Sequence, residues 1–431
     1  MQTYIRRTLG AAMLGLGLVA QGCDKFTEVE NPNNLEADTI DPDRDIALLS
    51  QSVFTRFQTS LEYAYVLGAW FTNHARVGDT FPTRNAVGQR NIPDTGNETD
   101  GIWNGIGASL QFARTTIKQV EPKGNTLDQA RAWWVSGASI LQMAEYFCEG
   151  TIAAGILVTD SRPKMSSQAL LDSAIIDLQK AQTMIAALTG LTTAQTTEAN
   201  NLSNSAQVLI ARAHLQAGRK TEAAAAAALV PANFRFDIVH IDNSSQRSLG
   251  NQVWSFSESR ISLVVGPEFR AMADAGDTRV AYSDRNRLAQ DGVLRFYRQG
   301  KHPGWASNMR FASKLEADYI AQEANENTAS MLTFINARRA AGARPAYAGA
   351  TDLTSLMAEL MLQKSIDFWL EGHEMRDFRR HPTIYPFVLP TNAPNTASNY
   401  YKPELGPVGS DVCWPVPRTE KERNTRWNEA L

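Results

Sequence analysis

Apolar positions divide the chain into helical stretches with irregular segments between them. From Asp45 to Leu61 they fall at Ile46, Leu48, Leu49, Val53, Phe54, Phe57 and Leu61, a repeat that predicts a helix with one buried stripe. Thr126 to Glu149 repeats it, with Ala130, Trp133, Trp134, Gly137, Ile140, Leu141 and Tyr146 on one broad face. Ser166 and Ser167 offer N-cap hydroxyls to a helix through SSQALLDSAIIDLQKAQTMIAAL. A Thr/Asn-rich stretch, Thr189 to Ser203, reads as a linker. After Thr351 a strong helix is predicted over TSLMAELMLQKSIDFWLEGHEMRDFRR.

Ala206 to Val230 reads as helix, tight turn at Gly218, helix. Small Ala211 and Ala223 fall where two helices would approach most closely, as in tetratricopeptide hairpins. A related hairpin is predicted over Asn308–Ala341, turning at Asn325 and Glu326. Val77 to Asp100 has no period and many Gly, Pro, Asn, Asp and Thr residues, so it is predicted as a long loop, often a functional feature. Pro231 to Gly304 alternates short apolar runs (FDIVHI, QVWSFS, ISLVVG, VLRFYRQG) with breakers, as short strands or irregular surface would. The predicted class is mainly α with minor β: tetratricopeptide-like helical hairpins forming a curved scaffold with irregular loops. Helices lie mainly within 40–230 and 308–380, a loop-rich capping region spans 231–307, and an irregular tail spans 381–431.

The amino terminus changes the picture. Arg6 and Arg7 precede an apolar run from Leu9 to Ala20, about 12 residues, which suits an export leader and is too short to span a bilayer. Ala20, Gln21 and Gly22 lead into Cys23 and resemble a bacterial lipobox. Residues 1–22 are therefore expected to be a lipoprotein signal peptide. Cys23 is the expected lipidation site, carrying diacylglycerol and a further acyl chain such as palmitate; two or more chains make attachment stable. FTEVENPNN would be the tether.

Net charge is −3 and basic runs are absent, which argues against nucleic acid as a partner. Cys148 and Cys413 lie far apart in sequence; two separately buried thiols are expected rather than a disulfide. The chain holds no HExxH, GxSxG, GxxxxGK[ST] or CxxC, so no metal, cofactor or catalytic role is expected. Carboxylate pairs for glycoside hydrolysis need no fixed spacing, and nothing points to one.

Binding has a better physical case, because sugars stack apolar faces on aromatic rings and pair their hydroxyls with amides, acids and arginines. The irregular segments supply Trp70, Phe71, Asn73, Arg76, Phe81, Trp103, Tyr297 and Trp305 as candidate ligand contacts. Trp133, Trp134 and Trp369, on apolar helical faces, are expected in the core. Glu371, Arg376, Asp377 and Arg379 are read as architecture, pairing along one helix end.

Four pieces in order carry a family resemblance: the lipobox followed by CDKFTEVENPNN; LLDSAIIDLQKA; AQVLIARAHLQAG; and FWLEGHEMRDFRR with WPVPRTEKERN. GDTRV (Gly276–Val280) adds an Asp-x-Arg turn. Together they resemble the SusD/RagB group of outer-membrane nutrient-binding lipoproteins. Gln363, Lys364, Asp367 and Glu374 depart from that pattern. The resemblance implies one SusD-like domain over 23–431, lipid-anchored in the outer membrane at the cell surface. It implies binding of an oligosaccharide or peptide and delivery to a SusC-type TonB-dependent transporter, without cofactor or catalysis. The alternative is an envelope lipoprotein scaffold whose helical repeats recruit a protein partner. Exposed loop aromatics beside amides and acids would favour nutrient binding; a smooth concave groove would favour the scaffold.

Overall fold

A computed structural model describes residues 42–121, 124, 126–152, 162–394, 402 and 405–429. The leader, Cys23 and the tether lie outside these residues. The first half runs α1 (Pro42–Phe71), β1 (Arg76–Val77), α2 (Pro82–Gly88), α3 (Asn97–Val120), α4 (Leu127–Tyr146), β2 (Glu149–Gly150), β3 (Met165–Ser166), α5 (Ser167–Ala186), α6 (Thr193–Gln216) and α7 (Lys220–Ala228). The middle holds β4 (Arg235–Ile238), α8 (Gln252–Trp254), which continues as a π-helical turn over Ser255–Ser259, β5 (Leu263–Val264), α9 (Pro267–Asp274), β6 (Tyr282–Leu288) and β7 (Arg295–Gln299). Then follow β8 (Met309–Ser313), α10 (Lys314–Asn325), α11 (Thr328–Ala341), α12 (Leu353–Asp367), α13 (Glu374–Arg380) and α14 (Arg418–Arg423). The strands pair antiparallel in twos: β1 with β5, β2 with β3, β4 with β8, β6 with β7. The fold is mainly α with little sheet, as the periodicity predicts.

The helix ends follow the capping residues. Thr126 accepts from Gln129 N–H to start α4, and Ser166 accepts from Ala169 N–H to start α5, each at 3.2 Å. Gly137 lets these two helices meet: a Cβ there would lie 2.7 Å from Leu178 Cγ and 3.0 Å from the Ala174 carbonyl. Trp134, fully buried on α4, packs among Phe54 and Phe57 of α1, Phe236 of β4 and Phe311 of β8 at 5.5–5.9 Å. Such aromatic contacts add stabilisation beyond area burial. Trp369 is equally buried, stacked on Phe269 at 4.9 Å, whereas Trp133 is half-buried beneath Arg114.

Both hairpins form. α6 and α7 turn at Gly218, whose φ of +74° favours glycine. α10 and α11 turn at Glu326, a left-handed C-cap at φ +51°. The second begins differently from expectation, since Met309–Ser313 is a strand paired with β4.

Other expectations are corrected. The Thr/Asn-rich linker is mostly helix: Thr192 and Gln195 form a capping box, and Ala199 and Leu202 are buried, so α6 starts at Thr193. The Val77–Asp100 loop contains α2, opened by Pro82, and the start of α3. The last strong helix is two, broken at Leu370 and Gly372 with φ of +59° and +75°. Gly372 passes so close to Tyr65 that a Cβ would lie 2.0 Å from its ring. The thiols are not separate: Cys148 and Cys413 form a disulfide, Cα atoms 5.7 Å apart, beside the bridge between Phe147 and Trp414.

Of the charged residues in the predicted architectural block, Glu371, Arg376 and Asp377 are buried and Arg379 is half-buried; Asp377 pairs along its own helix with Arg380 at i,i+3, and the other partners are tertiary. Arg212 of α6 donates to both Glu316 oxygens at 2.7 and 2.9 Å and to the Phe311 carbonyl. Arg376 faces Glu145 at 3.3 Å and Glu316 at 3.6 Å. Arg279 binds Asp277 and Asp367, and Arg379 donates to the carbonyls of Ala144, Glu145 and Phe147. Burial opposes ionisation of Asp377, but Lys364 and Arg380 outweigh it and hold its carboxyl below the ordinary value. Lys301 and Arg310 do the same for Glu371 against its own burial.

Candidate ligand-binding face

The eight sequence-derived candidates separate into two groups. Trp70 and Phe71 are fully buried, because α1 continues to Phe71 and carries both rings into the core. Trp70 packs edge-on against Phe256, and Phe71 lies between Phe378 and Trp414. Asn73, at φ +61°, donates to the Phe387 carbonyl; Arg76 donates to Glu268 at 2.6 Å and to the Asn73 carbonyl. Trp103 packs on Phe147 and donates Nε1 to Glu420 at 3.1 Å, holding the carboxy-terminal segment. Trp70, Asn73 and Arg76 do line one crevice, but its volume of about 10 Å³ is no more than a water needs. These five residues are buried and held by contacts within the fold.

Phe81, Tyr297 and Trp305 reach the surface. Phe81 is 53% exposed, with the Arg84 guanidinium 4.7 Å from its ring and Arg84 held by Asp79 and Glu98. Beside it Tyr63 is half-buried; burial, then the Glu98 carboxylate, pushes its hydroxyl up to about 12. Tyr297 is half-buried under Arg270, 3.7 Å from the ring centroid, and meets Tyr282 edge-on.

Trp305 belongs to the best-built platform. Its ring lies 4.7 Å from that of Trp254, and both are half-buried. Gly250 makes the seat: a Cβ there would lie 2.3 Å from the Trp305 ring. The Trp305 carbonyl accepts from Asn251 N–H at 2.9 Å, and Arg247 stands 4.8 Å over the ring. Asn251 caps α8 through Trp254 N–H.

Polar groups follow directly. Glu258, one helical turn after Trp254, is met by Arg285 at 3.0 Å and by Arg298 at 2.6 Å. Arg298 also donates to the Pro303 carbonyl, two residues before Trp305. Two features of the backbone mark this strip as specialised. Ser255–Ser259 is π-helical, a form found frequently at functional sites. Ile261, β-branched, sits at φ +49°, a conformation that costs energy and clusters at binding sites. Trp254 was hidden in the sequence because QVWSFS alternates like a strand; the acid and arginine that follow it in SESR were the available signal.

No protein-family model matches the chain, and no curated protein matches it. Solved structures do. A SusD/RagB family protein from Bacteroides thetaiotaomicron superposes with TM-score 0.64 at 16% identity, covering 88% of this chain and 94% of its own. A SusD-like carbohydrate-binding protein from Bacteroides vulgatus gives 0.66 at 13% identity, covering 89% and 97%. A laminarin-binding SusD-like protein gives 0.65 at 12% identity, covering 88% and 98%. The chain therefore has the SusD-like fold.

Proposed function

We propose that this protein is a non-catalytic, saccharide-binding lipoprotein of the outer membrane. The observation that carries the reading is the Trp254–Trp305 platform flanked by Glu258, Arg285 and Arg298 on a SusD-like scaffold. Aromatic faces offer stacking to pyranose rings, and charged side chains offer hydrogen bonds to hydroxyls. The carbohydrate-binding neighbours of the same fold support the choice of ligand class. In this reading Cys23 anchors the chain by its acyl groups, and the protein delivers its ligand to a TonB-dependent transporter of the SusC type. Among the described residues no group of side chains is arranged to hold a metal.

The test is intrinsic tryptophan fluorescence of the full chain in detergent micelles, titrated with oligosaccharide pools. Trp305→Ala is expected to weaken saturable binding roughly thirtyfold, about 2 kcal/mol. Gly250→Ala, which unseats the ring without removing it, is expected to weaken binding in the same direction. Binding of every pool unchanged by both substitutions would place the ligand elsewhere.

A further inference from the structure

The strip that follows Trp254 carries more arginines than the one carboxylate paired with them neutralises. Arg260, Arg285, Arg287 and Arg298 follow one another along the π-helical turn and the β6–β7 hairpin, and the carboxylate that meets this set is Glu258. Arg285 and Arg298 share it. Arg260 and Arg287 are exposed and, among the described residues, form no salt bridge; each guanidinium lies instead over a buried ring, Phe256 at 4.4 Å and Phe296 at 5.2 Å. Nearby, Arg270 lies over Tyr297 in the same manner. Arg295 is the contrasting case, bound to Asp284 at 2.6 Å and to Asn286.

This arrangement differs from ordinary surface charge. An arginine laid on an aromatic ring loses rotamer freedom before any ligand arrives, yet keeps its hydrogen-bond donors available. The chain as a whole is acidic, at −3, so this local excess runs against its average. A neutral oligosaccharide would leave the excess uncompensated. A carboxylate or sulfate ester would receive charge-assisted hydrogen bonds, bidentate from a guanidinium.

From this we infer that the ligand is an anionic saccharide, bearing carboxylate or sulfate groups, whose rings lie on Trp254 and Trp305 and whose charges face Arg260 and Arg287. The inference rests on the saccharide-binding reading and narrows it.

The experiment is calorimetric titration of the full chain in detergent with three oligosaccharides of equal length: neutral, uronate-bearing and sulfated. At low salt one of the two acidic ligands is expected to bind at least about tenfold tighter than the neutral one. The advantage is expected to shrink as salt is raised to roughly 0.5 M, where exposed charges are screened. Which acidic ligand wins identifies the anion. The combined variant Arg260→Gln, Arg287→Gln, checked for folding by circular dichroism, is expected to lose the preference. Equal affinity for all three ligands, with Trp305 still required, would overturn the inference and leave the saccharide reading standing. So would a preference that survives the double substitution. No binding of any saccharide would overturn both.

Discussion

Arginine is used in opposite ways in the two halves of this molecule. In the helical half, Arg212, Arg376 and Arg380 are buried and surrounded by Glu145, Glu316, Glu323 and Asp377. On the loop-rich face, Arg260 and Arg287 are exposed on aromatic rings and, among the described residues, form no salt bridge. The first set fixes where helices meet, because a buried charge tolerates only a geometry that satisfies it. The second leaves its charge unspent on folding. Arginine content alone therefore says little about function; what lies beneath and beside each guanidinium decides its role.

The comparison breaks most severely at Arg212. Arg212→Met would leave Glu316 with a weakened partner set in the interior, and denaturant titration is expected to show a loss of about 3–5 kcal/mol. If that variant unfolded no more easily than wild type, the buried set would not be structural.

Glu374 gives the next effect, because it is a buried acid whose ionisation burial opposes. Burial raises its carboxyl to about 7, and Oε1 has no hydrogen-bond partner. In the unfolded chain it ionises near 4.5. The folded protein thus holds a proton that the unfolded chain releases between those values. The stability this gives is full below 4.5 and is lost as pH rises to about 7. Glu374→Gln is expected to be near neutral at about pH 4 and to add up to about 3 kcal/mol at about pH 8. A pH-independent difference would reject the assignment. Buried histidines act on the other side: His74 is lowered to about 3 and His302 to about 4 by desolvation. Their contribution is present above 6.5 and is lost as pH falls through the folded values.

The smallest expected effect sharpens the contrast from the exposed side. Arg287→Gln is expected to shift stability by less than about 0.5 kcal/mol, as for a surface change. A thermal-melt shift comparable to that of Arg212→Met would mean that the exposed set also holds the fold together.

The helical half was the more legible part, because its signals are local. Thr126 and Ser166 announce their helices, Gly218 its turn, and Leu49, Val53, Phe57 and Leu61 the buried face of α1, although Leu48, placed on the same stripe, is exposed. Thr193–Ser203 misled because polar composition describes only its exposed surface, while Ala199 and Leu202 supply the packing. The break at Leu370–Gly372 was missed although Gly372 stood in the sequence, and the close approach of Tyr65 at that glycine joins residues distant in sequence. The face was legible in part. Tyr297 and Trp305 stood out as loop aromatics, but Trp70, Phe71 and Trp103 looked the same in sequence and belong to the core. Trp254 joins Trp305 only through folding, as does the seat at Gly250.

The bond between Cys148 and Cys413 closes a ring over a sequence separation of 265. Every helix from α5 to α13 lies inside that ring. The bond turns a string of hairpins into a loop of fixed circumference. Partial unfolding inside that loop has fewer places to go than the same event in an open chain.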